Sequence, residues 1–128
     1  TAGSNPKRRV DELRIETYRP PYLLRGPRPE VESAPGAVGY GERFDVETPD
    51  PAGIDDVVFV RQSSTTHCLD TDQRLVGLRV LDRDDQSMSV AVPEDPDVAP
   101  PGYYMLFLLR EGIPSEAPFV RVGPGEAE

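Results

Sequence analysis

His67 is the only histidine in the chain, and imidazole is both a good ligand for copper, zinc or iron and a base near neutral pH. It lies in the segment Arg61-Gln62-Ser63-Ser64-Thr65-Thr66-His67-Cys68-Leu69-Asp70-Thr71-Asp72-Gln73-Arg74. That segment joins two apolar strands, yet it is longer and more polar than a tight hairpin needs. Hydroxyls at Ser63, Ser64, Thr65 and Thr66 can satisfy the backbone of a projecting loop, while Asp70, Asp72, Gln73 and Arg74 can brace its base. The pattern predicts a braced loop that presents His67 away from the core. Taken alone, a histidine in such a loop is more often an ordinary exposed residue than a ligand or a base.

The neighbouring residues supply few further parts. Cys68 is the obvious second ligand, but adjacent side chains of an extended segment point to opposite faces, so His67 and Cys68 do not converge on one ion. Nearby acids and the lack of an adjacent lysine favour a structural rather than a reactive thiol at Cys68. Asp70 and Asp72 form an i, i+2 pair that could bind a cation, although Asp-x-Asp in a turn is more often a set of backbone caps. No serine or cysteine has a histidine-and-acid relay that the sequence can place.

Strands must position this loop, because Pro or Gly interrupts nearly every window long enough for a helical period. Segments of alternating or β-branched character recur about every ten residues: Leu13–Tyr18, Pro29–Ser33, Arg43–Thr48, Val57–Arg61, Leu75–Leu81, Ser87–Val92, Gly102–Arg110 and Ala117–Val122. That spacing predicts an all-β sandwich of about seven to eight strands. In Arg43–Glu47 the alternation turns Phe44 and Val46 inward. Tyr103–Leu109 is apolar on both parities and predicts a central strand covered on both faces. Before it, Asp97-Val98-Ala99-Pro100-Pro101-Gly102 is a stiff entry that suits Tyr104 as a tyrosine corner.

Composition sets the outer limits. One domain core suits 128 residues. The formal charge of -9 repels phosphate backbones and anionic membrane surfaces, which argues against nucleic acid as a partner. A single cysteine excludes an internal disulfide and leaves the compartment undetermined. Tyr103–Leu109 is the longest apolar run, far short of the roughly 20 residues of a membrane-spanning helix, so no membrane insertion is expected. Residues 1–6 read as the tail of a strand and turn with no earlier strand to pair with, as in an excised fragment. Residues 124–128 read as a flexible acidic tail.

Three stretches together resemble the C-terminal domain of galactose oxidase and glyoxal oxidase: Thr66-His67-Cys68-Leu69-Asp70-Thr71-Asp72-Gln73-Arg74, Ala99-Pro100-Pro101-Gly102-Tyr103-Tyr104-Met105-Leu106-Phe107 and Gly112-Ile113-Pro114-Ser115. Ala2-Gly3-Ser4-Asn5-Pro6 and Ile15-Glu16-Thr17-Tyr18-Arg19-Pro20-Pro21-Tyr22-Leu23 look like that family's passage from the last propeller blade. The resemblance covers nearly the whole chain. It implies an immunoglobulin-like (early-set) β-sandwich at 19–123 with one long projecting hairpin, after a blade tail and linker at 1–18.

The same resemblance implies that His67, in its Thr-His motif, ligates copper. The other histidine, two tyrosines and a thioether-forming cysteine would come from a kelch-type propeller absent from this chain; Cys68 does not match that cysteine. Thr66, Asp72 and Arg74 would support the ligand or brace the hairpin base. The implied reaction oxidises a primary alcohol, aldehyde or sugar with O2 to give hydrogen peroxide, with no catalytic residue in this chain and no activity expected of it alone. The implied location is extracellular or at the cell surface. Two other readings remain open from sequence: a non-catalytic domain that caps a propeller without copper, and a carbohydrate-binding module, although the chain has no tryptophan.

Overall fold

The computed structural model describes residues 15–125. Ten strands form among them: β1 Ala37–Gly39, β2 Arg43–Glu47, β3 Asp56–Arg61, β4 Thr65–Thr66, β5 Leu69–Asp70, β6 Leu75–Arg83, β7 Ser87–Ala91, β8 Gly102–Arg110, β9 Ile113–Pro114 and β10 Phe119–Gly123. Two short 3-10 turns, Pro21–Leu24 and Pro51–Gly53, are the helical elements described, each with proline in its first positions. No helix is long and apolar enough to cross a membrane among the described residues.

The strands run in the order β1-β10-β8-β3-β6-β7-β2, with β9 added beside β8 and β4-β5 forming a separate ribbon. All pairings are antiparallel except that of β1 with β10. β6 links the two layers. Its first half pairs with β3 and its second half with β7, and the register slips between Val80 and Asp82. A bulge of that kind bends a strand and raises its twist, which lets β7 and β2 fold over the larger sheet. The two layers enclose one core. Phe44, Val46, Met88 and Val90 of the smaller layer meet Phe59, Tyr104, Leu106, Leu108, Val120 and Val122 of the larger. The Phe59 ring lies 6.0 Å from Phe44 and 5.5 Å from Tyr104, so three aromatic rings span the layers.

The β-sandwich expected from strand spacing is the fold observed, in the immunoglobulin-like form that the family resemblance implies. β2 alternates as its sequence requires, with Phe44 and Val46 buried between exposed Arg43, Asp45 and Glu47. Tyr104 forms the expected corner, donating its hydroxyl to the Pro100 carbonyl at 2.7 Å. β8 departs from expectation. Tyr104, Leu106 and Leu108 are fully buried, but Tyr103 is 55% exposed and Met105, Phe107 and Leu109 are half-buried. The strand is central in hydrogen bonding, between β10 and β3. A two-layer fold nevertheless has no third layer for its outer face.

Other differences are local. Pro29–Ser33 supplies only a single bridge, Ser33 to Glu47, because prolines at 27 and 29 lack the donors a ladder needs. Residues 15–18 of the strand expected at Leu13–Tyr18 are irregular, and its first two residues lie outside the described range, as do residues 126–128 of the expected tail. The short strands β1 and β9 had no alternation long enough to mark them. β9 is completed by Ser115, whose buried Oγ accepts from the Leu108 N–H at 3.0 Å while its own N–H donates to the Leu108 carbonyl at 2.8 Å.

Candidate functional site

The segment between β3 and β6 rises as the β4–β5 ribbon, with Thr65 opposite Asp70 and Thr66 opposite Leu69. Only His67 and Cys68 remain for its tip. Both have positive φ, 53° and 65°, the pattern of a two-residue type I′ turn that favours Asn-Gly or Gly-Gly. The β8–β9 hairpin makes the same kind of turn with Glu111 and Gly112, φ 51° and 75°. There glycine takes the second position without cost, whereas an L side chain in this region costs about 1–3 kcal/mol. The ribbon therefore keeps two disfavoured residues at its tip.

Its lower part compensates. Asp70 Oδ1 accepts from the N–H groups of Ser64 and Asp72, both at 3.0 Å. Thr71 donates its N–H and its hydroxyl to the Ser64 carbonyl at 2.9 and 3.0 Å. The Ser64 and Asp72 N–H groups, with the Ser63 hydroxyl, hold the Asp70 carboxyl below its ordinary value of 3.8. Below the ribbon, Arg61 N–H donates to the Arg74 carbonyl at 2.9 Å, and Gln62 N–H to the Tyr103 carbonyl at 3.2 Å. The Arg74 guanidinium donates to the carbonyls of Asp97 and Val98 at 3.0 and 3.1 Å. That fastens the ribbon's exit to the turn that leads into β8.

The residues singled out from sequence thus fall into distinct places. His67 and Cys68 are exposed at the tip. Thr66 is beside the imidazole, its Oγ1 2.9 Å from Nδ1. Arg74 is at the base. Asp72 takes part through its main-chain N–H, and the bracing carboxylate is Asp70. An Asp-x-Asp pair shows two carboxylates in sequence but not which one turns back to the backbone. Arg61 is a base residue that sequence reasoning left aside. Its guanidinium carbon lies 5.9 Å from the centroid of the Tyr104 ring and its Nη2 donates to the Pro101 carbonyl at 3.4 Å. Gly102 lies beside that guanidinium with φ 149°, a backbone conformation that L side chains rarely adopt.

No group of three or more His, Cys, Asp or Glu side chains could enclose a metal ion among the described residues. The donor chemistry fits one ligand of a shared site: an exposed imidazole with one nitrogen occupied by a hydroxyl and the other open. It does not fit a self-contained site.

Residues 28–122 match the model of the galactose oxidase-like, early set domain. The chain belongs to that family. It is 36% identical to an aldehyde oxidase of Vitis pseudoreticulata over 96% of its own length and 27% of the relative's. With the galactose oxidase of Gibberella zeae it shares 32% identity over 84% of the chain and 16% of that protein. A solved fungal alcohol oxidase of the AA5 family, in complex with copper, superposes with a TM-score of 0.73 at 40% identity, covering 80% of this chain and 23% of that one. The early set domain therefore spans about a quarter or less of the length of these proteins.

Proposed function

We propose that this early set domain is the accessory domain of a copper-dependent oxidase and that His67 is its contribution to the metal site. The carrying observation is an exposed imidazole at the tip of a ribbon whose strained turn is offset by hydrogen bonds at Asp70 and Thr71. One imidazole cannot set a copper geometry, but one delivered on a rigid element can complete a set supplied elsewhere. The other ligands belong to a kelch-type propeller in the parent protein. Bound there, copper would supply the redox centre for oxidation of a primary alcohol, aldehyde or sugar by O2, with hydrogen peroxide as the other product. In this chain, Arg74, Arg61 and Asp70 fix the height and direction of the ribbon, and Thr66 holds the ring. Residues 1–18 serve as the link to the propeller, and 124–128 as a tail. The same reading assigns the parent protein to the cell exterior.

The outer face of the larger sheet supports a packing partner. Leu75, Val60, Met105 and Phe119 are directly opposite one another across β6, β3, β8 and β10. Leu75 is 68% and Phe119 55% exposed. This apolar row would suit a domain that caps a propeller whether or not copper is present. Expression of the full-length parent with copper separates the two readings. The oxidase reading expects bound copper and peroxide release from an alcohol or aldehyde, both lost in His67→Ala. Full-length protein that binds no copper and releases no peroxide from any such substrate would leave only the capping role.

A further inference from the structure

We propose that Thr66 decides which nitrogen of His67 meets a metal: its hydroxyl covers Nδ1, so that the ring presents Nε2. This rests on the reading of His67 as a ligand, and it concerns a choice the ring makes before any other ligand is present. The Oγ1 to Nδ1 distance is 2.9 Å, and both residues are exposed at the end of the ribbon. Thr66 is fixed from the other side, since it pairs with Leu69 in the last rung below the turn. The two left-handed residues that follow turn the chain back at once, which keeps the imidazole beside the strand it has just left.

A hydroxyl can accept or donate. In the metal-free ring it donates to Nδ1 when the proton is on Nε2, and accepts from Nδ1–H in the other tautomer. Ligation at Nε2 requires a lone pair there, so the neutral ring loses its Nε2 proton to solvent, takes one at Nδ1 and directs that proton to Oγ1. The hydroxyl reverses by rotating about one bond. Ligation at Nδ1 would instead break this hydrogen bond and bring the metal against the Thr66 side chain and the main chain of the turn. Metal-binding histidines commonly donate their second ring N–H to a fixed acceptor, which sets ring orientation. Here the acceptor is the preceding residue on the same strand.

The test uses the chain itself, labelled with 15N, and zinc ion alone as a diamagnetic probe. Because His67 is the only histidine, its ring nitrogens are read without ambiguity in long-range proton–nitrogen correlations. In the unmodified chain, excess zinc is expected to shift Nε2 while Nδ1 shows the signature of a protonated nitrogen in the zinc-bound ring. Thr66→Val should raise the share bound through Nδ1 by about fivefold, the ratio that one net hydrogen bond commands. Thr66→Ser should restore the original preference, which a loss of hairpin structure would not explain. Zinc bound through Nδ1 in the unmodified chain, or through Nε2 alone in Thr66→Val, overturns the proposal. Copper retained by full-length His67→Ala would overturn the ligand reading instead and leave the nitrogen preference of this chain standing.

Discussion

At the residue scale, the ribbon tip combines a chemically useful side chain with a backbone that does not favour it. His67 and Cys68 both occupy left-handed conformations that Asn-Gly would accept readily. Cys68→Gly is therefore expected to steady the turn by about 1 kcal/mol, the low end of the cost of such a residue. It should slow amide exchange at Leu69, the residue paired with Thr66, without moving His67. Faster exchange would show that the Cys68 side chain supports the turn. Asp70 adds a pH dependence. Its carboxyl is held below 3.8 chiefly by the Ser64 N–H and then by that of Asp72, so the ordered ribbon prefers the ionised form. A depressed folded-state value means that this support is fully present above 3.8 and is lost as pH falls through the lowered value. Ribbon order followed by the amide shifts of Ser64 and Asp72 should decline in that acid range. In Asp70→Asn the acid step should vanish.

At the scale of elements, the sandwich depends on small polar devices where its ladders are interrupted. Between β9 and β10 the pairing to β8 is continued by Ser115, which is fully buried and takes the Leu108 N–H on its side-chain oxygen. Ser115→Ala would leave that buried donor unpaired and is expected to cost about 1–3 kcal/mol in denaturant unfolding. A change below about 0.5 kcal/mol, the range of ordinary surface substitutions, would mean that another acceptor replaces it. At the other end of β8, Tyr104 spans from the core to the Pro100 carbonyl. Beside it, Tyr40 bonds the Ala99 carbonyl at 2.8 Å. These two hydroxyls fix the turn that Arg74 grips through Asp97 and Val98. The ribbon is thereby fastened to the best-packed strand of the domain.

For the whole molecule, one layer of cover is complete and another is missing. The inner faces of the two sheets enclose a continuous core. The row from Leu75 to Phe119 across the outer face of the larger sheet remains open. Metal donors are as sparse, because the chain offers one imidazole and no cluster that could surround an ion among the described residues. Copper titrated into this chain should bind only weakly, with the spectrum of a mostly solvated ion, since affinity grows with the number of deprotonated ligands. Tight, stoichiometric binding followed by calorimetry would contradict a site shared with another domain. The charge of -9 favours cations at long range but does not create the missing ligands.

The sandwich was legible in the sequence because alternation, turn residues and the lack of helical windows act locally and agree with one another. Phe44, Val46 and Tyr104 all sit where that local pattern put them. The Thr66-His67 motif, in its order with Ala99–Phe107 and Gly112–Ser115, was enough to indicate the family. Which of the two aspartates would brace the ribbon was not legible, because Asp70 and Asp72 differ only in how the turned backbone aims their carboxylates. Arg61 was missed for a related reason. Its contacts with Tyr104 and Pro101 cross about forty residues of chain and exist only once β3 and β8 are paired. The outer face of β8 went the same way, since an apolar run records what a strand can bury but not how many layers the fold provides. Composition and periodicity thus determined the strands and the candidate imidazole. The folded structure decided its left-handed turn and its hydroxyl partner, because both are set only once the two arms of the ribbon pair and fix the backbone at the tip.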